Sequence, residues 1–202
     1  GGFSAGRVAC DGALVYRGGG DGHLRAFDTQ TGRQAWDRAL VTGDENHVLL
    51  YGPWDVALLL HAGSLVTSTV AGVWGIDPAT GADRWTRTGG FMYPPAVPIP
   101  DDSAALLLTE TGALSLVDLA DGTARWDASL AVRVLNSGGV LRAETLWVQS
   151  VDGQLIGVNV TDGAESARFQ NGTAYCFATP VTVGNTVVVA DQDGFVRGIS
   201  VE

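Results

Sequence analysis

Acidic residues beside glycine are the first groups in this chain that could do chemistry. Asp191-Gln192-Asp193-Gly194 has the look of a calcium loop, and Asp21-Gly22-His23 sets a carboxylate beside an imidazole. A calcium site collects about six to eight oxygens, however, and Asp-Gly is also ordinary hairpin-turn chemistry. The second reading is preferred for both stretches. His23, His47 and His61 lack the spacing of zinc ligands. Gly18-Gly19-Gly20 is followed by no Lys-Ser/Thr and opens no helix, so it is not a phosphate loop. Ser64 and Ser68 lie in strand-like sequence without the context of a nucleophile elbow. No acid, base and nucleophile converge in any stretch, and no catalytic or metal-binding residue is expected.

Composition narrows the remaining classes. Of 202 residues 28 are Gly, 46% are hydrophobic and 17% charged, with a formal net charge of −10. All 12 basic residues are Arg. An acidic chain with scattered arginines is a poor match for phosphate backbones, which are bound by clustered cations. No apolar run approaches the ~18 residues of a membrane span, so neither nucleic acid nor direct membrane insertion is expected. Two cysteines, Cys10 and Cys176, cannot make a dense disulfide framework, and buried free thiols are the expected state. The chain opens Gly-Gly-Phe without an initiator Met, which reads as a processed or excised piece.

Excess glycine at ordinary apolar content is what many short strands joined by tight turns would give, and the turns recur at a fixed period. Asp28, Asp77, Asp118, Asn159 and Ser200 occupy one phase, spaced 49 residues and then 41 at each later step. Gly32, Gly81, Gly122 and Gly163 follow the first four at a constant offset, and Trp36, Trp85 and Trp126 follow the first three glycines. A second turn glycine precedes each landmark: Gly22, Gly72, Gly112, Gly153 and Gly194. Short β-rich runs fill the intervals, with first strands read at 7–10, 56–59, 96–99, 132–135 and 180–183. Four strands per ~41 residues is the arithmetic of a β-propeller blade. The predicted fold is all-β: four full four-stranded antiparallel blades plus most of a fifth, at about 6–40, 47–89, 94–130, 131–170 and 175–202. Three strands in the last blade favour one arc of a larger ring over a weakly closed ring of five.

Ala26-x-Asp28-x-x-Thr31-Gly32-x-x-x-Trp36 resembles the repeat motif of pyrroloquinoline-quinone-type (PQQ-like) propellers. The second copy departs at Gly75, the third at Leu116 and Asp121, and the fourth keeps only Gly163 firmly, with Ala167 in place of Trp and Phe169 nearby. In that family the motif is the tryptophan-docking motif that locks adjacent blades. The resemblance thus implies a structural docking role for Asp28, Gly32, Trp36, Asp77, Gly81, Trp85, Asp118, Gly122 and Trp126. The family also includes quinoprotein dehydrogenases, which need a full ring, a calcium site and often vicinal cysteines, so PQQ with calcium is expected only if this chain is a fragment of such an enzyme. Outer-membrane assembly lipoproteins and sensor domains carry the same repeat, and a structural arc in a large assembly is a third reading. The reading preferred is a non-catalytic interaction or ligand-sensing module of an extracytoplasmic or lumenal protein, without cofactor, whose partners are proteins or the remaining blades of its own ring.

Blade topology places the blade-to-blade connections on the same face as the second-hairpin turns. The long first connection brings Asp44, Glu45 and His47 to that face, and the next brings Phe91 and Tyr93. These five residues are the candidate binding face, against the plainer alternative of a solvated insertion. Two glycosylation sequons, at Asn159 and Asn171, add a candidate modification, with Asn171 the better placed in a blade connection.

Overall fold

A computed structural model describes residues 8–43, 58–69, 71–89, 96–134 and 137–201. The candidate face residues Asp44, Glu45, His47, Phe91 and Tyr93 lie outside these described residues. Among the described residues nineteen strands form five antiparallel sheets, each in strict chain order. The first sheet comprises β1 (Ala9–Cys10), β2 (Leu14–Gly18), β3 (His23–Asp28) and β4 (Gln34–Ala39). The second comprises β5 (Leu59–His61), β6 (Ser64–Thr69), β7 (Gly72–Ile76) and β8 (Asp83–Thr88). The third comprises β9 (Val97–Pro98), β10 (Ala104–Leu108), β11 (Ala113–Asp118) and β12 (Ala124–Ser129). The fourth comprises β13 (Gly139–Arg142), β14 (Thr145–Gln149), β15 (Gln154–Asn159) and β16 (Glu165–Gln170). The fifth has three strands, β17 (Val181–Val183), β18 (Thr186–Ala190) and β19 (Val196–Ser200). Four complete blades and most of a fifth are what the period implies.

The short first strands of successive blades lie against one another along the inner side of the array. Their length suits that place, because an edge strand tolerates Pro98, which has no N–H to donate. The apolar core is divided among four seams between blades. Tyr16, Leu24 and Ala26 meet Leu65 and Ile76 at the first, and Val66, Val73 and Trp85 meet Ala105, Leu107 and Val117 at the second. Leu106, Leu108 and Leu114 meet Leu146, Val148 and Ile156 at the third, and Trp147 and Leu155 meet Val187 and Val189 at the fourth. Neighbouring residues of one strand therefore serve opposite seams. That is why middle strands such as Ala104–Leu108 read as unbroken apolar runs: both faces are buried.

Two local expectations are corrected. The run 132–135, read as a first strand, contributes none of its described residues to a sheet; β13 begins at Gly139 instead. Its backbone bonds the second-hairpin turns, Val134 N–H to Glu110 O (2.8 Å) and Val151 N–H to Arg133 O (2.8 Å). Apolar composition there reflects a strap covered on one side, with Val134 fully buried and Arg133 exposed. Gly72 is not a turn glycine. Gly22, Gly112, Gly153 and Gly194 all take positive φ of 80–84°, whereas Gly72 opens β7, and a Cβ there would strike Arg87 O at 2.4 Å. The carbonyl that Gly22, Gly112 and Gly153 offer to the end of the outer strand comes in this blade from Ala71.

Candidate functional site

Each third hairpin is built by the residue at the repeat's first landmark. Asp28 Oδ1 accepts from the N–H groups of Gln30 and Thr31 and from the Thr31 hydroxyl, while Gly32 N–H closes onto Asp28 O at 2.9 Å. Gly81, Gly122 and Gly163 repeat that closure onto Asp77, Asp118 and Asn159, all at φ of 73–75°. That φ suits glycine, which has no Cβ to clash. The tight turn has a second consequence. The outer-strand tryptophan of the preceding blade lies on the turn glycine and donates its indole N–H to the carbonyl after the Asp or Asn. Trp36 reaches Pro78 O (2.9 Å), Trp85 reaches Leu119 O (2.8 Å) and Trp126 reaches Val160 O (2.9 Å). A Cβ on Gly81, Gly122 or Gly163 would come within 2.7–2.8 Å of the ring.

Sequence reading missed a companion to this contact. Arg38 and Arg87, two residues past Trp36 and Trp85, donate to the turn carbonyls Gly81 O and Gly122 O, each at 3.1 Å. They also pair with Asp83 and Asp127 of the following blade. The repeated Trp-x-Arg was the available signal. At the fourth seam Ala167 leaves no indole donor. Phe169 does not replace it across the seam; it lies tilted against Trp147 of its own blade, ring centroids 6.1 Å apart. Trp147, from a second strand, carries the aromatic bulk into that seam instead.

These turns and clips tie stability to carboxylate ionisation. The Thr31 hydroxyl holds the Asp28 carboxyl below its ordinary range, the Arg84 guanidinium does so for Asp77, and the Arg125 guanidinium for Asp102. A depressed folded-state value stabilises the fold above the unfolded carboxylate range, and the effect is lost as pH falls through the folded value. Neutralising the net −10 acts oppositely, but that repulsion is spread over the surface and screened beyond ~8 Å at physiological salt. We expect the melting temperature to be flat between about pH 5 and pH 8 and to fall with acidification below about pH 4, with a shallower acid limb for Asp102→Asn. A circular-dichroism melt series across pH checks this, and a melting temperature that rises on acidification would contradict it.

The opposite face carries the connections. The strap before blade four bridges the second hairpins of blades three and four, as above. The next strap does the same one blade on, through Cys176 N–H to Val151 O (3.2 Å) and Gln192 N–H to Tyr175 O (3.0 Å). Arg133 and Tyr175 therefore hold equivalent places on consecutive straps. Between the straps lies a cleft of about 530 Å³ lined by Ala131, Val132, Arg133, Val151, Asp152, Gln154, Thr173 and Tyr175. Tyr175 is 58% exposed and stacked on Phe177 at 5.9 Å.

The remaining candidates have plainer roles. Among the described residues no group of three His, Cys, Asp or Glu side chains could hold a metal ion. Cys10 and Cys176 are both free, but Cys10 is exposed rather than buried, because β1 is an edge strand of the first blade. The calcium and vicinal-cysteine donors of a quinone site are thus not assembled among the described residues. Asp191 builds a turn, accepting from the N–H groups of Asp193 and Phe195, and pairs with Arg197. His61 donates to Ile99 O and Asp102 O, clipping blade two to blade three. Asn159 is engaged by Thr161 N–H within its turn, and Asn171 is half-buried in the strap after blade four.

A family model described as outer membrane protein assembly factor BamB matches residues 1–133 and again 68–202. The chain belongs to this family of PQQ-like repeat propellers. Among curated BamB relatives, the protein of Xanthomonas campestris pv. campestris is 26% identical over 188 residues, covering 90% of this chain and 44% of its own length. The chain thus spans about half the length of the curated relative it matches. Among solved structures, BamB from Moraxella catarrhalis superposes with a TM-score of 0.79 at 19% identity, over 96% of this chain and 57% of that one. A computationally designed protein, Ika8, superposes with a TM-score of 0.74 at 13% identity and the same coverages. At such identities the structural likeness speaks for the fold that the BamB family shares.

Proposed function

We propose that this chain is a non-catalytic propeller platform that docks a protein partner on its strap face. The observation that carries the reading is the cleft between consecutive straps, where an exposed, stacked Tyr175 and an exposed Arg133 stand at equivalent positions. Tyrosine and arginine are the residue types that most often dominate binding energy at interfaces, and irregular segments on a rigid scaffold are the usual place for recognition. The name of the Xanthomonas relative, an outer membrane protein assembly factor, supports a partner from that apparatus and a location outside the cytosol. Among the described residues no helix is long and apolar enough to cross a membrane.

In this reading Asp28, Gly32, Trp36 and their counterparts Asp77, Gly81, Trp85, Asp118, Gly122 and Trp126 dock blade to blade and take no part in chemistry. The five blades, at the limits read from the sequence, form an arc of a larger ring. No cofactor is required. Asn171 is the better glycosylation acceptor of the two, since the Asn159 amide is committed to its turn. Asp44, Glu45, His47, Phe91 and Tyr93 extend the same binding face.

A photo-crosslinking residue at position 175 or 133 is expected to give a discrete adduct with one protein of the outer-membrane assembly apparatus, in a bacterium that carries a BamB relative. Position 30, on the opposite face, is expected to give none. Equal adducts from position 30, or none from any position, would overturn the docking face. Dye reduction by the chain after incubation with PQQ and calcium would overturn the non-catalytic reading.

A further inference from the structure

Three asparagines lie among the described residues: Asn159, Asn171 and Asn185. Two of them are held. The Asn159 side-chain oxygen accepts from Thr161 N–H at 2.8 Å, and that of Asn185 accepts from Arg142 at 2.6 Å. Each also precedes a β-branched residue, Val160 or Thr186. Asn171 differs on both counts. Its side-chain amide engages no other described residue, and glycine follows it in an irregular stretch of the strap after blade four. The Gly172 N–H has no acceptor among the described residues either; Gln170 clasps only the carbonyls Asp152 O and Gly172 O.

A carboxamide beside a free backbone nitrogen can cyclise, and glycine carries no Cβ to shield that nitrogen. The Gly172 nitrogen attacks Asn171 Cγ and an N–Cγ bond forms. The bond from Cγ to the side-chain nitrogen breaks, and ammonia leaves with the former Gly172 amide proton. Water then opens the succinimide. Cleavage at Cγ gives aspartate, whereas cleavage at the main-chain carbonyl gives isoaspartate, whose backbone runs through the extra Cβ methylene. Nothing is oxidised or reduced, and water is the sole co-reactant.

The fold has no room for that methylene. Asn171 N–H donates to Gly153 O at 2.8 Å, and a Cβ on Gly153 would come within 2.5 Å of Gly172 O. A Cβ on Gly172 itself would lie 3.3 Å from Asp191 Oδ2 of the next blade. Further along the strap, Cys176 N–H is fixed to Val151 O. A lengthened link must give up one of these anchors, at the seam where the described residues supply no indole.

We propose that Asn171-Gly172 is a spontaneous deamidation site through which the ageing chain loosens its fourth seam. This goes beyond the docking reading above and does not rest on it. The full chain is incubated in mildly alkaline buffer, then read by peptide mapping with mass spectrometry and by isoaspartyl methyltransferase labelling. Conversion is expected at Asn171 at least about tenfold faster than at Asn159 or Asn185, because only Gly172 leaves the attacking nitrogen unshielded. It is expected to slow in mildly acidic buffer, where that nitrogen keeps its proton. The converted chain is expected to melt several degrees below the fresh one by circular dichroism. Asn171→Gln, which must close a larger ring, is expected neither to convert nor to lose melting temperature on the same incubation. Asn171→Asp, which adds the charge without the methylene, is expected to melt with the fresh parent. Conversion of a synthetic peptide of residues 168–176 but not of the folded chain would overturn the proposal, as would equal rates at the three asparagines. So would an unchanged melt of the converted chain, or an equal loss in either variant.

Discussion

Trp85→Ala is expected to lower the unfolding free energy by about 3–5 kcal/mol, the range for truncating a large buried aromatic. Trp85 is the most enclosed of the three outer-strand tryptophans, at 7% exposure; Trp36 and Trp126 are half-buried. Its removal opens a cavity between blades two and three beside Val66, Val73, Ala105 and Leu107. It also removes the indole donor of Leu119 O in the buried turn, which keeps the Ser64 hydroxyl as its partner at 2.9 Å, so the cavity rather than an orphaned acceptor carries the loss. Trp36→Ala is expected to cost less, because water already reaches part of that ring. Urea titrations of the two variants against the parent check the order. Equal costs would mean that enclosure of the ring does not set the strength of the contact.

The second large effect concerns the residue beneath that ring. A Cβ on Gly75 would sit 2.0 Å from Trp85 Cε2, with two more indole atoms within 2.5 Å. Gly75→Ala should therefore push the indole off its seat and destabilise by about 1–3 kcal/mol, as overpacking does. In the Trp85→Ala background the sign should change. With the ring gone, alanine in a strand is favoured over glycine by roughly 0.5–1 kcal/mol. The double-mutant cycle is thus expected to show a coupling well outside the few tenths found for independent sites. An additive cycle would show that the close approach at Gly75 carries no energy.

The same comparison explains why a motif legible by eye was not equally legible in depth. Asp28, Gly32 and Trp36 could be read because turn geometry and seam packing leave type-specific marks at a constant offset. How deeply each tryptophan sinks depends on the residue across the strand, glycine at 75 but alanine at 26 and leucine at 116, and that pairing becomes visible only once the one-residue register shift is known. The strap at 132–134 reads as a strand because a half-covered strap and a half-covered strand share one composition; only the destination of their hydrogen bonds differs. The cleft was not foreseen, since its lining comes from three separate segments. Its trace in the sequence was faint, because Arg133 and Tyr175 stand one residue out of phase with the 41-residue repeat. Gly72 was misplaced by a single residue, being five rather than six before its landmark, which is enough to move it from a turn into a strand. Trp147 broke the pattern altogether, supplying from a second strand the bulk that Ala167 withholds from a fourth.

Each indole reaches forward, from Trp36 to Pro78, Trp85 to Leu119 and Trp126 to Val160. A growing chain therefore cannot close a seam until the next hairpin turn has left the ribosome, 34 to 42 residues later. Synthesis at ~5–20 residues per second makes that a wait of about 2–8 s per seam, during which the newest tryptophan has no acceptor. Blade assembly then runs from the N-terminus as a timed series of latches. At the fourth seam no indole latch is found among the described residues, and the fifth blade is held by packing and by clips such as Arg142 on Gly184 O.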